Sequence, residues 1–188
     1  MKRAVIVHGW DFNPSMHWYP WLREELEKRG YEVGIPEMPN TSEPKIEVWV
    51  AHLKKIIETI DENTLFIGHS IGCQTIMRYL ESLPAQLKIK KVIFIAGWCK
   101  LENLEDEEVV RIAKPWLQTP INFEEIRQKI QNLTVFLSDN EPYGCVEENT
   151  NIFKEKLGAK VIILEKKGHF TQEDGVTQIP EILKEIPS

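Results

Sequence analysis

The sequence is poor in the features that mark a specialised chain. Its three cysteines, Cys73, Cys99 and Cys145, form no C-x-x-C pair and no paired Cys/His spacing. That argues against a disulfide framework or a zinc site and for a reducing compartment. No apolar run approaches the roughly 18 residues of a membrane span. The first apolar stretch, residues 4–7, is cut off by His8-Gly9, too soon for a signal peptide. Long basic runs are missing as well. Lys and Arg total 23 against 29 Asp and Glu, a formal net charge of -6, which disfavours nucleic acid and anionic membrane as partners. No Gly-x-Gly-x-x-Gly follows the first strand, so a dinucleotide site is a poor reading. Repeats, low-complexity tracts and linkers are absent too. The expectation is a cytoplasmic protein with no metal, no cofactor and no predictable protein partner.

What is present is a regular alternation of two patterns. Six short runs rich in β-branched and apolar residues read as strands: 4–7, 31–35, 64–67, 91–96, 134–137 and 160–164. Most are continuously apolar, as strands covered on both faces are. Helical patterns lie between them at 18–29, 46–60, 71–83 and 146–157, and a last one closes the chain at 176–186. Residues Ile46, Trp49, Leu53, Ile56 and Ile60 show the helical spacing most clearly. Strand and helix in alternation mean right-handed βαβ units. The fold expected is α/β, a doubly wound, mainly parallel six-stranded sheet in one domain spanning residues 1–188, a size ample for a single core. The stretch 97–131 reads as a long irregular connection, the kind that forms a lid or binding loop. The acidic run 102–108 within it reads as a solvated helical face.

The segment with the most chemical content is Gly68-His69-Ser70-Ile71-Gly72, set between a strand and a helix. In Gly-x-Ser-x-Gly the serine sits on a sharp, strained turn, so the residues two places either side must be small. The turn lifts the hydroxyl out at the carboxyl edge of the sheet. It also puts the N–H of Ile71 at the positive end of a helix, where an oxyanion can be held.

A serine hydroxyl needs a base within hydrogen-bond reach. Of five histidines, His52 lies on the charged side of a helix, His8 ends the first strand, His17 precedes the first helix and His69 should point away from its neighbour. His169, in Gly168-His169-Phe170 just past the last strand, opens on the same edge as Ser70 and is the expected base. The third group should be a carboxylate after the penultimate strand, there to orient the imidazole. Asp139 and Glu141 both qualify, and sequence physics alone does not separate them. After the first strand, Gly9 permits a tight turn and Trp10 N–H is the expected second oxyanion donor, with His8 bracing the loop or packing in the core. Trp10, Trp18, Trp98 and Trp116 fall in expected loops, and an apolar substrate pocket is expected around Gly9, Trp10 and Trp98. Trp21 and Trp49 are expected in the core.

Taken together, these residues resemble the small YdeN-like serine hydrolases, the group that includes the retinoblastoma-binding serine hydrolase. The likeness runs from Val5-Ile6-Val7-His8-Gly9 and Trp18…Trp21-Leu22 through Gly68-His69-Ser70, Met77-Arg78-Tyr79 and Pro115-Trp116. It ends at the turn from Ser138 to Tyr143 and at Gly168-His169-Phe170. It implies a compact α/β-hydrolase without a large cap domain, acting on small esters or amides without a cofactor. The family's serine falls on Ser70 and its histidine on His169. Its acid, an aspartate directly before a proline, falls on Glu141, a departure; glutamate serves in this role in some α/β-hydrolases, so the resemblance favours Glu141, with Asp139 as the substitute candidate. A retinoblastoma-type partner is not implied. The readings from other classes are a non-catalytic scaffold on a degenerate hydrolase fold and an acyltransferase using the same serine.

Overall fold

A computed structural model describes residues 2–57, 59–104 and 106–186. It holds six strands, β1 (Lys2–Val7), β2 (Tyr31–Gly34), β3 (Thr64–His69), β4 (Lys91–Ile95), β5 (Leu133–Ser138) and β6 (Lys160–Leu164). All neighbours pair in parallel, in the order β2-β1-β3-β4-β5-β6. The helices are α1 (Tyr19–Glu27), α2 (Ile46–Ile56), α3 (Ile71–Glu81), α4 (Glu107–Gln118), α5 (Phe123–Lys129) and α6 (Val146–Leu157). The expected strands are all there, with ends shifted by a residue or two, and the α/β doubly wound sheet stands as read.

Successive side chains of one strand point to opposite faces, and the core divides accordingly. Val7, Phe66, Phe94 and Val135 pack with Trp49 and Leu53 of α2, Ile76 and Tyr79 of α3, Ile126 of α5 and Phe153 of α6. Their strand neighbours Ile6, Ile67, Ile95 and Phe136 pack on the other face with Leu22 and Leu26 of α1 and Val176, Ile179 and Ile182 of the C-terminal segment. Burying each such side chain contributes about 1.5–3 kcal/mol, which is why β3 and β4 read as unbroken apolar runs.

Four expectations need correction. The stretch 97–131 is not one irregular connection, because α4 and α5 lie within it. Asp106 caps α4 by accepting from Glu108 N and Val109 N, and Ile112, Ala113 and Trp116 give it a buried face in spite of Pro115. The acidic run is only partly helical: Glu107 and Glu108 fall in α4, and Glu105 lies outside the described residues. The closing helix expected at 176–186 is a single 3₁₀ turn, Pro180–Lys184, begun by Pro180, which has no N–H to donate. The helix expected over 46–60 stops at Ile56, and Glu58 of that range lies outside the described residues.

The strand order fixes where a site can form. The chain leaves β1 toward β2 and then returns past β1 to β3, so the connections at β1 and β3 diverge. The crevice at their carboxyl ends is the switch point where doubly wound sheets take ligands.

Candidate active site

Ser70 follows β3 directly and has φ 54° and ψ -123°, a left-handed backbone that a serine adopts only under constraint. The constraint is visible. The Ser70 N–H donates to Ile95 O of β4 at 2.9 Å, extending the sheet ladder into the turn, and Ser70 O accepts from Cys73 N at 3.0 Å. The glycines on either side permit the bend. A Cβ at Gly68 would lie 2.8 Å from the backbone N of Cys73, and one at Gly72 would collide with the carbonyl oxygen of Val7. The first turn of α3 therefore rests on the end of β1, which brings the loop after β1 beside the serine.

That loop is braced from within. His8 is fully buried; its Nδ1 lies 2.9 Å from Gly9 O and its Nε2 accepts from Met38 N at 3.1 Å. Those two contacts require a neutral ring with its proton on Nδ1. Burial pushes the His8 pKa below its ordinary value, against smaller raising effects of Gly9 O and Glu37. His8 thus braces the loop from a core position, so its two expected roles coincide.

On the far side of the sheet, β5 and β6 deliver the partners. His169 Nδ1 lies 2.7 Å from Glu141 Oε1, with both side chains about 10% exposed. With Nδ1 donating to the carboxylate, the neutral imidazole keeps its lone pair on Nε2. Asp139 does not reach the ring. Its Oδ1 accepts from the Lys166 N–H at 2.7 Å and so shapes the histidine loop. Of the two acids expected here, the structure brings Glu141 to the imidazole and sets Asp139 on the backbone of the histidine loop. Its neighbours act alike: Ser138 Oγ accepts from Lys167 N at 2.9 Å, Asn140 Oδ1 from Gly168 N at 2.9 Å, and Asp174 Oδ2 from His169 N at 2.8 Å.

Ser70 and His169 line one cavity of about 300 Å³. Trp10, Phe12, Ile71 and Trp98 line it too, and so do Leu101, Val109 and Ala113 on the side of α4. Ile71 is the first residue of α3, so its N–H is one of the helix donors with no intrahelical acceptor. Trp98 contributes more than bulk, because its indole N–H donates to Ser70 Oγ at 3.3 Å. Sequence reasoning placed Trp98 in the pocket but had no signal for this bond. Gly9 stands behind the lining, with the Phe12 ring 2.5 Å and Ser70 Cβ 3.3 Å from where a Cβ would sit; the expectation of Gly9 as a lining residue is corrected to a close-approach position. Trp18 lies in the turn just before α1, as expected, and is fully buried. Trp116 is corrected: it is buried within α4, where its N–H donates to Pro44 O at 3.0 Å.

The helix that roofs the cavity is fastened by a residue of α3. The Arg78 guanidinium donates to Trp116 O at 3.2 Å, Thr119 O at 2.9 Å and Pro120 O at 3.3 Å, the carbonyls at the C-terminal end of α4. A cation suits that negative end of the helix dipole. Among the described residues, no group of three or more His, Cys, Asp or Glu is arranged to hold a metal ion, and no helix is long and apolar enough to cross a membrane.

The chain as a whole is similar to known proteins. A family model described as serine hydrolase matches residues 4–187. The YdeN protein of Bacillus subtilis strain 168 is 25% identical over 190 residues, covering 100% of this chain and 95% of that one. Serine hydrolase RBBP9 of Rattus norvegicus is 25% identical over 189 residues, covering 99% and 94%. The crystal structure of the ydeN gene product superposes with a TM-score of 0.88, covering 98% of this chain and 96% of that one.

Proposed function

Because the chain belongs to the serine hydrolase family, we propose that it cleaves small neutral carboxylic esters, or amides of the same shape, through an acyl-enzyme on Ser70. The observation that carries this reading is the 2.7 Å contact of His169 Nδ1 with Glu141 at the wall of the cavity that Ser70 also lines. Ser70 Oγ attacks the carbonyl carbon while its proton passes to His169 Nε2, and Glu141 stabilises the imidazolium so formed. The oxyanion is received by the N–H groups of Ile71 and Trp10; losing one such donor typically costs about 10²–10³ in rate. Collapse breaks the bond to the leaving group, which takes the proton back from His169. Water then repeats the sequence on the acyl-serine, releasing the acid and restoring Ser70.

The lining supports the choice of substrate class. It is mostly aromatic and aliphatic, with one carboxylate, Asp11, and no Lys or Arg. Such a wall favours apolar acyl groups and repels anionic ones. The whole chain, residues 1–188, acts as one catalytic domain in this reading, although Met1, Glu58, Glu105, Pro187 and Ser188 lie outside the described residues.

The test is direct. Wild type should be labelled by a fluorophosphonate probe and should turn over p-nitrophenyl acetate, and Ser70→Ala should lose both. Equal turnover by wild type and Ser70→Ala would favour a non-catalytic scaffold, and transfer of the acyl group to an added alcohol in preference to water would favour an acyltransferase.

A further inference from the structure

His69, the residue next to the serine, turns away from the cavity and is fully buried. Both of its ring nitrogens are engaged. Nε2 lies 2.8 Å from the backbone carbonyl oxygen of His169, and Nδ1 lies 2.6 Å from the hydroxyl of Tyr19 in α1. A carbonyl oxygen only accepts, so Nε2 must carry a proton. In a neutral ring Nδ1 is then an acceptor, and the Tyr19 hydroxyl donates to it. The opposite tautomer would set a lone pair of Nε2 against the carbonyl. Burial, with smaller contributions from His169, His17 and His8, holds the His69 pKa well below its ordinary value, although the His169 carbonyl opposes this. Burial also raises the Tyr19 phenol well above its own, so Tyr19 stays a donor.

The histidine loop has its other fastenings elsewhere. The N–H groups of Lys166, Lys167, Gly168 and His169 go to Asp139, Ser138, Asn140 and Asp174, all in the second half of the chain. Among the described residues, the hydrogen-bonded links from this loop to the first half come from His69 and from His17, whose ring accepts from Gln172 N at 3.0 Å and whose N–H reaches the Gln172 side chain. His69 is the one that grips residue 169 itself, and it does so one peptide away from Ser70. We propose that His69, held in a single tautomer by Tyr19, is a positioning residue that sets the distance between the base and the nucleophile. The proposal rests on the assignment of Ser70 and His169 made above.

Four variants and one spectrum test it. With p-nitrophenyl acetate, His69→Phe keeps an aromatic ring in place but removes both hydrogen bonds. Its kcat should fall about 100-fold with KM changed less than twofold, as expected when a catalytic group drifts by about an ångström. His69→Gln, whose amide N–H can take the place of Nε2–H, should recover at least a tenth of wild-type kcat. Tyr19→Phe should lie between wild type and His69→Phe, and the double variant Tyr19→Phe/His69→Phe should be no slower than His69→Phe alone.

A folded His69→Phe with wild-type kcat overturns the proposal, as does a loss that His69→Gln does not restore. If His69→Phe does not fold, Tyr19→Phe decides the matter by its kcat, together with ¹⁵N NMR of the wild-type ring. That spectrum should show a neutral imidazole protonated on Nε2 at pH 7; protonation on Nδ1 or on both nitrogens contradicts the proposal. The two readings fail separately: if Ser70→Ala retains full turnover the proposed function falls, whereas loss in Ser70→Ala with an unchanged His69→Phe removes only this inference.

Discussion

Glu141 meets His169 at 2.7 Å, while the carboxylate two residues earlier in the same turn, Asp139, meets a backbone N–H of the histidine loop at 2.7 Å. One acid faces the imidazole and the other holds the loop that carries it. Glu141→Gln keeps the shape but removes the charge and can hold the wrong tautomer, so kcat/KM for p-nitrophenyl acetate should fall by about 10³–10⁴. Asp139→Asn retains an acceptor for Lys166 N–H and should stay within about tenfold of wild type. A larger loss in Asp139→Asn than in Glu141→Gln, both folded by circular dichroism, would reverse the assignment.

Why the two acids could not be separated in the sequence is instructive. The choice depends on where Ser138, Asp139 and Asn140 send their side chains, and all three are spent on N–H groups of residues 166–168. That ladder joins residues about 28 positions apart, and no local pattern encodes it. The Ser70 turn, by contrast, was legible because its constraints are local: two glycines, a strand before and a helix after. The first-half elements with continuous or periodic apolar patterns, β1, β3, α2 and α3, were legible for the same reason. Helix α4 was hidden by Pro115 and by an acidic stretch that masks its three buried residues, Ile112, Ala113 and Trp116. The Asp106 cap was the available signal for it. The bond from Trp98 to Ser70 and the grip of His69 on residue 169 exist only once the ends of β3, β4 and β6 converge.

The Trp98 indole N–H on Ser70 Oγ has a predictable effect. A donor on that oxygen stabilises it more as it gains negative character than as a neutral hydroxyl, because charge-assisted hydrogen bonds are about twice as strong. Trp98→Phe retains most of the ring and loses the donor. Its kcat should drop about tenfold, the equivalent of about 1.4 kcal/mol, and its KM for p-nitrophenyl acetate should move less than twofold. An unchanged kcat would leave Trp98 as a wall of the cavity and nothing more.

Ala113 faces the cavity from α4 and is 1% exposed. Ala113→Leu adds three carbons to a space of about 300 Å³, so part of the acyl site is filled. Overpacking of this kind costs about 1–3 kcal/mol where the surroundings cannot yield. The loss should grow with acyl length: p-nitrophenyl acetate turnover should change little, and the butyrate-to-acetate ratio of kcat/KM should fall at least fivefold. An unchanged ratio across a series of p-nitrophenyl esters would mean that the acyl group lies elsewhere.

The buried histidines make stability depend on pH in a defined window. His8, His17 and His69 each have a pKa lowered from the ordinary 6.5, with burial as the largest cause in every case. The unfolded chain therefore takes up protons near pH 6.5, where the folded chain does not. Stability is complete above that value and falls as the pH drops through the window between the unfolded and folded pKa values, by up to about 1.4 kcal/mol per pH unit for each histidine. The carboxylates whose pKa the fold lowers, such as Glu185, lose their contribution only below their ordinary 4.5, so they do not act between pH 7.5 and 5.5. The melting temperature should thus hold from pH 7.5 to about 6.5 and decline from there to pH 5.5. His8→Gln should melt lower at pH 7.5, having lost part of the loop brace, yet should lose less on acidification than wild type. A wild-type melting temperature that stays level from pH 7.5 to 5.5 would mean that these rings are not held neutral by the fold.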